Sequence, residues 1–174
     1  ERYRADLASL ISITKPVAII TSAEFESEAR SALMPGDSIR KVIVTNTIEP
    51  QTEPDFDSLQ GMKAAPEDIV ILQHSSGTTG LQKGVALSHK AVLNQLEAYS
   101  KAIQLDPEKD VIVSWLPLYH DMGLISCFLM PVLLRVPVIE LSPFDWVRAP
   151  YKLMQSVSQY KGTLSWLPNF AYNF

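Results

Sequence analysis

The sequence has 174 residues, of which 47% are hydrophobic and 20% are charged, a composition that excludes a disordered or fibrous protein and suffices for one domain with its own core. Fifteen Lys and Arg residues against nineteen Asp and Glu residues give a net charge of -4, so no basic surface is offered to nucleic acid or to an anionic membrane. A bound nucleotide would have to be held by a local site.

The chain begins with Glu1 and has no charged and then apolar leader, which predicts an internal piece of a longer protein without a signal peptide. The most apolar stretch, residues 122–141, is interrupted by two prolines and an arginine, and this predicts a buried helix and a strand rather than a membrane span. The single cysteine, Cys127, lies in an apolar run and is expected to be a core residue rather than a nucleophile. Since one cysteine forms no internal disulfide, we predict a cytoplasmic protein.

The first third of the chain alternates helical and extended patterns. Apolar side chains from Tyr3 to Ile11 have helical spacing, and the sequence then predicts a strand at 17–20, a helix at 23–30 and a strand at 41–45. Residues 46–66 have few apolar side chains, three prolines and a glycine, which predicts a surface connection and a candidate seam between subdomains. We otherwise expect residues 1–174 to form one partial domain.

A second series of elements follows from residue 69. Residues 69–72 are a continuous apolar run suited to a central strand, and Ser88 is a predicted N-cap for the next helix. The apolar residues of that helix are Val92, Leu96, Tyr99 and Ile103. The later predictions are a strand at 111–115, a helix at 123–134, a strand at 138–141, a helix with Leu153, Val157 and Tyr160, and a strand at 163–167. Strands that alternate with helices predict an α/β fold, with a mainly parallel sheet flanked by helices and ligands at the carboxyl ends of its strands.

A loop rich in glycine and hydroxyl side chains follows the strand at 69–72. Residues 75–85 read Ser-Ser-Gly-Thr-Thr-Gly-Leu-Gln-Lys-Gly-Val. Glycines let backbone N–H groups approach an anion, hydroxyls add donors or a metal contact, and Lys83 adds a mobile charge, so the composition is typical of a phosphate-binding loop. The nucleoside-triphosphatase loop and the dinucleotide fingerprint both require other spacings. A glycine-serine surface turn is the structural alternative.

Two later segments also combine polar and aromatic residues. Residues 115–124 read Trp-Leu-Pro-Leu-Tyr-His-Asp-Met-Gly-Leu, and residues 166–172 read Trp-Leu-Pro-Asn-Phe-Ala-Tyr. Taken alone, a pair such as His120 and Asp121 at a strand end is more often a hydrogen-bonded structural pair than a catalytic group. The second segment is equally compatible with an aromatic core strand that ends in a turn at Pro168 and Asn169.

Together the three segments resemble the motifs of the adenylate-forming enzymes, the superfamily of acyl-CoA synthetases, peptide-synthetase adenylation domains and luciferases. The loop is similar to the superfamily signature Thr-Ser-Gly-Ser/Thr-Thr-Gly-x-Pro-Lys-Gly-Val, with Ser75 in place of Thr and Gln82 in place of Pro. The other two segments resemble those of fatty acyl-AMP ligases. The resemblance implies that the chain is an internal fragment of the large N-terminal domain of such an enzyme.

The resemblance implies ATP-dependent activation of a carboxylic acid, in particular a fatty acid, to an acyl-AMP with release of pyrophosphate, with ATP and Mg²⁺ as cofactors. Lys83 and His120 are the implied catalytic residues, and Thr78 is an implied Mg²⁺ contact. The residues expected to bind the ATP phosphates are Ser75, Ser76, Gly77, Thr78, Thr79, Gly80, Lys83 and Gly84. Those expected to form the acyl and adenylate pocket are Tyr119, His120, Asp121, Gly123, Pro168, Asn169 and Phe170, and Gly123 is expected to let the following helix begin close to the ligand.

Two other functions stay open. An acyl-CoA ligase shares all three motifs and differs in its acceptor, which is CoA rather than an acyl carrier protein. A nucleotide-binding module without turnover belongs to another class, and the resemblance implies it for the fragment alone, because the family's metal-binding glutamate, ribose-binding aspartate and mobile C-terminal domain lie beyond Phe174. We therefore expect the 174-residue fragment itself to be inactive and to self-associate through uncovered apolar faces.

Overall fold

The structure, a computed structural model, describes residues 2–50, 53, 55–75 and 83–173. The chain divides into two compact units, Glu1–Met62 and Lys63–Phe174. The border between them falls within residues 46–66, and the expectation that residues 1–174 form one partial domain stays a prediction.

The first unit contains two helices and a pair of parallel strands. Its elements are α1 (Arg2–Thr14), β1 (Ala18–Thr21), α2 (Glu26–Ser31), which a 3-10 turn at Ala23–Phe25 precedes, and β2 (Lys41–Val44). Ala18 lies opposite Lys41 in the register, and Ile11 and Val44 are buried. The predicted order of helix, strand, helix and strand is confirmed.

Short 3-10 turns make up the connection that follows. They span Thr45–Thr47, Phe56–Ser58 and Gln60–Lys63. Asp55 caps the second turn, because its carboxylate accepts a hydrogen bond from the backbone N–H of Asp57 at 3.2 Å. Every described residue between 46 and 66 is exposed, which confirms the predicted surface connection.

The second unit begins with an antiparallel hairpin formed by β3 (Ile69–Ser75) and β4 (Lys83–Ser88). The strand at 69–72 is confirmed, but its predicted central and parallel place in a sheet is wrong. Strand β3 pairs with β4 alone among the described strands, and Leu72 is 54% exposed. Strand β4 was not predicted, since the glycine-rich pattern was assigned to a loop through Gly84.

Helix α3 (His89–Ala102) packs its apolar stripe against the core of the second unit. The hydroxyl of Ser88 accepts a hydrogen bond from the backbone N–H of Ala91 at 3.2 Å, which confirms the predicted N-cap. Val92 and Leu96 are buried in the same cluster as Ile112. Because this stripe is buried in the core, the rest of the surface of α3 is available for other contacts.

Strands β5 (Ile112–Ser114) and β6 (Val138–Glu140) form a parallel pair at the centre of the second unit. Ile112 and Val113 are both 0% exposed, and they belong to two different core clusters because successive side chains of a strand point to opposite faces. The predicted strand at 163–167 is reduced to a single bridge between Leu164 and Ile112. The other two strand predictions in this region are confirmed.

Four helical segments complete the second unit. They are a π-helical segment (Gly123–Leu129) that continues into α4 (Met130–Leu134), α5 (Pro143–Arg148), α6 (Tyr151–Tyr160) and a 3-10 turn at Asn169–Asn173. Helix α5 was not predicted. Cys127 is buried as predicted, and burial raises the pKa of its thiol to about 11. In the part of the chain that the structure describes, no helix is long and apolar enough to cross a membrane.

Helix α3 ends in a Schellman motif whose left-handed residue is not glycine. Leu105 N donates to the carbonyl of Ser100 at 2.9 Å, and Gln104 N donates to the carbonyl of Lys101 at 3.2 Å. Gln104 has a φ of 55°. Leu105 and Tyr99 both pack against the core cluster that α3 covers, so the motif anchors the end of the helix.

Gly162 has no room for a side chain. A Cβ atom there would lie 2.4 Å from Cγ2 of Val113, which is fully buried. We expect Gly162→Ala to lower the free energy of unfolding by about 1–3 kcal/mol, because the overpacked core must shift. Urea unfolding followed by circular dichroism measures the loss. Gly61→Ala is the control, since nothing lies within 4 Å of a Cβ at that position, and equal midpoints for Gly162→Ala and the wild type would contradict the prediction.

Candidate functional site

The hairpin of β3 and β4 holds together the two ends of the predicted phosphate-binding loop. Ser75 lies opposite Lys83 in the antiparallel register, and His74 lies opposite Gly84. The predicted phosphate-binding residues Ser76, Gly77, Thr78, Thr79 and Gly80 lie outside the described residues, as do the side chains of Ser75 and Lys83. The described backbone therefore places the start and the end of the loop next to each other.

The segment after β5 turns sharply before the π-helical segment. Trp115 and Leu116 are buried, and Leu116 N donates to the hydroxyl of Ser114 at 3.0 Å. His120 N then donates to the carbonyl of Pro117 at 3.1 Å, which closes a turn at the carboxyl end of the strand. This turn brings the polar residues 119–121 to the surface.

His120 and Asp121 lie side by side at the start of the helix. Nδ1 of His120 lies 2.7 Å from Oδ1 of Asp121, and Met122 N donates to the same oxygen at 2.8 Å. Met122 N also donates to Nδ1 of His120 at 3.3 Å, so one backbone N–H contacts both side chains. Both side chains are exposed, His120 at 59% and Asp121 at 74%.

Gly123 is required by the backbone of the preceding turn. A Cβ atom at this position would lie 2.4 Å from the carbonyl oxygen of Pro117. The structure shows a close approach to Pro117, and the expectation that Gly123 lets the helix begin close to a ligand stays a prediction. The π-helical segment begins at this glycine, and π-helical turns are frequent at functional sites.

Three aromatic rings join the second and third sequence motifs. The rings of Trp115 and Trp146 stack with centroids 3.7 Å apart, and Phe170 meets both rings edge-on with centroids 6.3 and 6.4 Å away. The carbonyl of Pro168 accepts a hydrogen bond from Ala171 N at 2.9 Å and so holds the 3-10 turn that begins at Asn169. Because helix α5 was not predicted, nothing in the sequence except the size of its side chain indicated that Trp146 would join this cluster.

An open cavity of about 560 Å³ lies between α3 and the start of the π-helical segment. Its described lining residues are Leu87, Ala91, Val92, Gln95, Asp121, Met122, Ile125 and Ser126. Asp121 is a predicted pocket residue, whereas Tyr119, His120, Gly123, Pro168, Asn169 and Phe170 lie outside this lining. Helix α3 was missed as a wall of the pocket, because its helical stripe predicted a core contact only.

Among the described lining residues of the cavity, Asp121 is the one with an ionisable side chain. Across residues 2–50, 53, 55–75 and 83–173, no group of three or more His, Cys, Asp or Glu side chains is placed to hold a metal ion. The site is thus a mainly apolar cavity with Asp121 in its lining and His120 next to that residue in sequence.

A model of the family described as AMP-binding enzyme matches residues 3–173. The chain belongs to the AMP-binding enzyme family. The resemblance that the three motifs predicted is therefore confirmed, and the α/β fold class is confirmed by the match to solved adenylate ligases. The roles of individual AMP-binding site residues stay predictions.

Several proteins similar to this AMP-binding chain are named as ligases of fatty acids. The medium-chain-fatty-acid–[acyl-carrier-protein] ligase TtuA of Teredinibacter turnerae is 32% identical over 147 residues, which are 84% of this chain and 23% of that protein. A structure from a study of fatty acyl-adenylate ligases from E. coli and L. pneumophila has a TM-score of 0.81 and 31% identity, and the match covers 99% of this chain and 30% of that chain. The chain thus spans less than a third of the length of these relatives.

A further solved relative is the fatty acyl-adenylate ligase from L. pneumophila in complex with acyl adenylate and pyrophosphate. Its TM-score is 0.76 and its identity 29%, and the match covers 98% of this chain and 28% of that chain. The described parts of the AMP-binding fold, including the hairpin and the cavity, thus lie within a backbone shared with ligases.

We expect Gly123→Ala to disturb the His120–Asp121 pair. A Cβ atom at this position meets backbone rather than a flexible side chain, so the start of the helix must move away from Pro117. The free energy of unfolding should fall by about 1–3 kcal/mol, and the NMR signals of the His120 ring should shift. Gly84→Ala is the matched control for stability, because its Cβ would have an ordinary contact of 3.7 Å with Leu72. Unchanged His120 signals would contradict this view of Gly123.

Proposed function

We propose that the chain is part of an enzyme that activates a fatty acid as its acyl-AMP, with ATP as the second substrate and pyrophosphate as the product. The observation that carries the proposal is the apolar cavity of about 560 Å³ that adjoins Asp121 and Met122, directly after His120. This volume lies in the range of small-molecule sites, and aliphatic walls suit an acyl chain. Two of the relatives are named as fatty acid ligases, which supports the same substrate class.

We place the phosphates of ATP on the loop between β3 and β4. The paired residues Ser75 and Lys83 hold the loop ends together, and hydroxyl and lysine donors match what phosphate oxygens accept. The donor set also fits Mg²⁺, a hard ion that prefers oxygen ligands and phosphates, with Thr78 as the proposed contact. Bound there, Mg²⁺ would neutralise charge on the leaving pyrophosphate.

The reaction needs positioning more than proton transfer. An oxygen of the ionised carboxylate attacks the α-phosphorus of ATP, the new carbon–oxygen–phosphorus anhydride forms, and the bond to the β-phosphate oxygen breaks with its electron pair on pyrophosphate. Lys83 stabilises that departing charge. We assign to His120, which lies beside Asp121, the role of lining the place where the carboxylate enters.

The acceptor that we propose is an acyl carrier protein. The support is the similarity to TtuA, which is named as a medium-chain fatty acid ligase of the acyl carrier protein.

We also propose a cytoplasmic location, supported by the free and buried thiol of Cys127 and by the need for ATP. The 174 residues alone are proposed to be inactive and to self-associate, supported by exposed apolar residues such as Leu72 and Val132.

Lys83→Ala in the full-length enzyme tests the role of the loop. We expect fatty-acid-dependent exchange of pyrophosphate into ATP to fall on the order of 100-fold, because the charge of Lys83 matters most as pyrophosphate leaves. Affinity for ATP, measured by calorimetry, should fall much less. Lys90→Ala is the matched control, since Lys90 forms an exposed ion pair with Glu67 near the same hairpin. An exchange rate equal to that of the wild type would refute the role of Lys83.

The choice of acceptor is tested by product analysis. Supplied with ATP, Mg²⁺ and medium- or long-chain fatty acids, the full-length enzyme should form acyl-AMP and transfer it poorly to free CoA. Mass spectrometry separates the two products, and a reaction without ATP gives the background. Efficient formation of acyl-CoA would instead identify an acyl-CoA ligase.

A further inference from the structure

Ser114 places a buried hydroxyl at the carboxyl end of β5. The residue is 0% exposed, and its neighbours Val113 and Trp115 are buried apolar residues. A hydroxyl in such surroundings is costly unless it is hydrogen-bonded, whereas an apolar side chain carries no such cost. What distinguishes Ser114 from its neighbours is therefore the set of bonds that its hydroxyl makes.

One of these bonds directs the chain as it leaves β5. The hydroxyl of Ser114 accepts from Leu116 N at 3.0 Å, while the backbone carbonyl of Ser114 accepts from Leu141 N at 2.8 Å. The backbone of Ser114 thus stays attached to the neighbouring chain, and its side chain holds the backbone two residues further on. His120 N donates to the carbonyl of Pro117 just after this point, so the turn before His120 starts from a backbone that Ser114 fixes.

The same hydroxyl also interacts with the π-helical segment. Strand β5 packs against that segment, and the buried thiol of Cys127 is hydrogen-bonded to Ser114. A hydroxyl has one proton and two lone pairs, which suffice for Leu116 N and for Cys127 together. Ile125 and Ser126, which precede Cys127, line the cavity. Ser114 therefore connects the turn after β5 to a wall of the cavity.

We propose that Ser114 is a positioning residue of the site, whose hydroxyl holds the turn before His120 in place against the π-helical wall of the cavity. The inference rests on the proposed function, because it concerns the place where the acid enters. Ser114 contacts no substrate in this role and acts through the turn. A misplacement of about 1 Å can cost on the order of 100-fold in rate, so a bond that fixes this turn affects the activation of the acid.

Ser114→Thr and Ser114→Val in the full-length enzyme test this role, because the two variants have nearly the same size and differ in the hydroxyl. We expect kcat/KM for decanoic acid, measured by acid-dependent exchange of pyrophosphate into ATP, to be about tenfold lower for Ser114→Val than for Ser114→Thr. The affinity for ATP, measured by calorimetry, should be the same in both variants. A purely structural role predicts the opposite order of activities, since valine carries no polar group into the core.

Cys127 supplies a second pair of variants, which decides the question if the variants of Ser114 do not fold. Cys127→Ser keeps a hydrogen-bond partner for Ser114 and Cys127→Ala removes it, so Cys127→Ser should have the higher kcat/KM. The matched control is Thr163→Val, next to the amino end of β5, where the hydroxyl of Thr163 accepts from Val111 N at 3.0 Å. Loss of that hydroxyl should leave kcat/KM unchanged.

Two results would overturn the role of Ser114 while leaving fatty acid activation intact. One is a kcat/KM for each hydroxyl-free variant, Ser114→Val or Cys127→Ala, that equals or exceeds that of its hydroxyl-bearing counterpart. The other is an equal loss in Thr163→Val. If the wild-type enzyme supports exchange with no fatty acid, the proposed function and the inference fall together.

Discussion

Strand β5 positions the site because it is covered on both faces. Ile112 packs toward the cluster under α3, and Val113 packs toward the cluster that contains Trp146 and Leu153. Because side chains are packed against both faces of β5, the strand cannot shift, and the position of its carboxyl end is fixed. The turn at Pro117, the His120–Asp121 pair and the first residues of the π-helical segment all follow within ten residues of that end. Their geometry depends on the burial of a strand only three residues long.

The fold elements that the sequence predicted are those with strong local periodicity. Helix α3 is an example, because its apolar stripe and the Ser88 cap are both local signals. The hairpin partner of β3 was missed because Gly84 and Lys83 suited a loop equally well, and only pairing across the loop makes them a strand. The strand expected at 163–167 is one bridge, in which Val113 N donates to the carbonyl of Leu164 and Leu164 N donates to the carbonyl of Val111, before the chain continues to Pro168.

The motifs predicted the family, and tertiary packing decides what surrounds them. Residues 115–124 indicated where a histidine would lie, but not that Ala91 and Gln95 of α3 would share a cavity with Asp121. Gly123 was expected to let the helix begin close to a ligand, and the structure adds that the missing side chain makes room for the carbonyl of Pro117. Trp146 has no motif of its own, and its stack on Trp115 depends on a helix that local patterns did not reveal. Contacts between segments distant in sequence leave no periodic signal, which is why these features needed coordinates.

The Schellman motif at the end of α3 has a consequence for protein engineering. Most helices that end this way place glycine at the left-handed position, where a side chain costs roughly 1 kcal/mol or more. Gln104 bears that cost at a φ of 55°. Arg135 and Lys161 occupy the left-handed position at the ends of α4 and α6, where their positive charges interact favourably with the helix dipole. Gln104 is neutral and has no such compensation. The position lies outside the described lining of the cavity. It is therefore where a more heat-tolerant form of the protein is best begun, because relaxing the backbone there leaves the described lining of the cavity untouched.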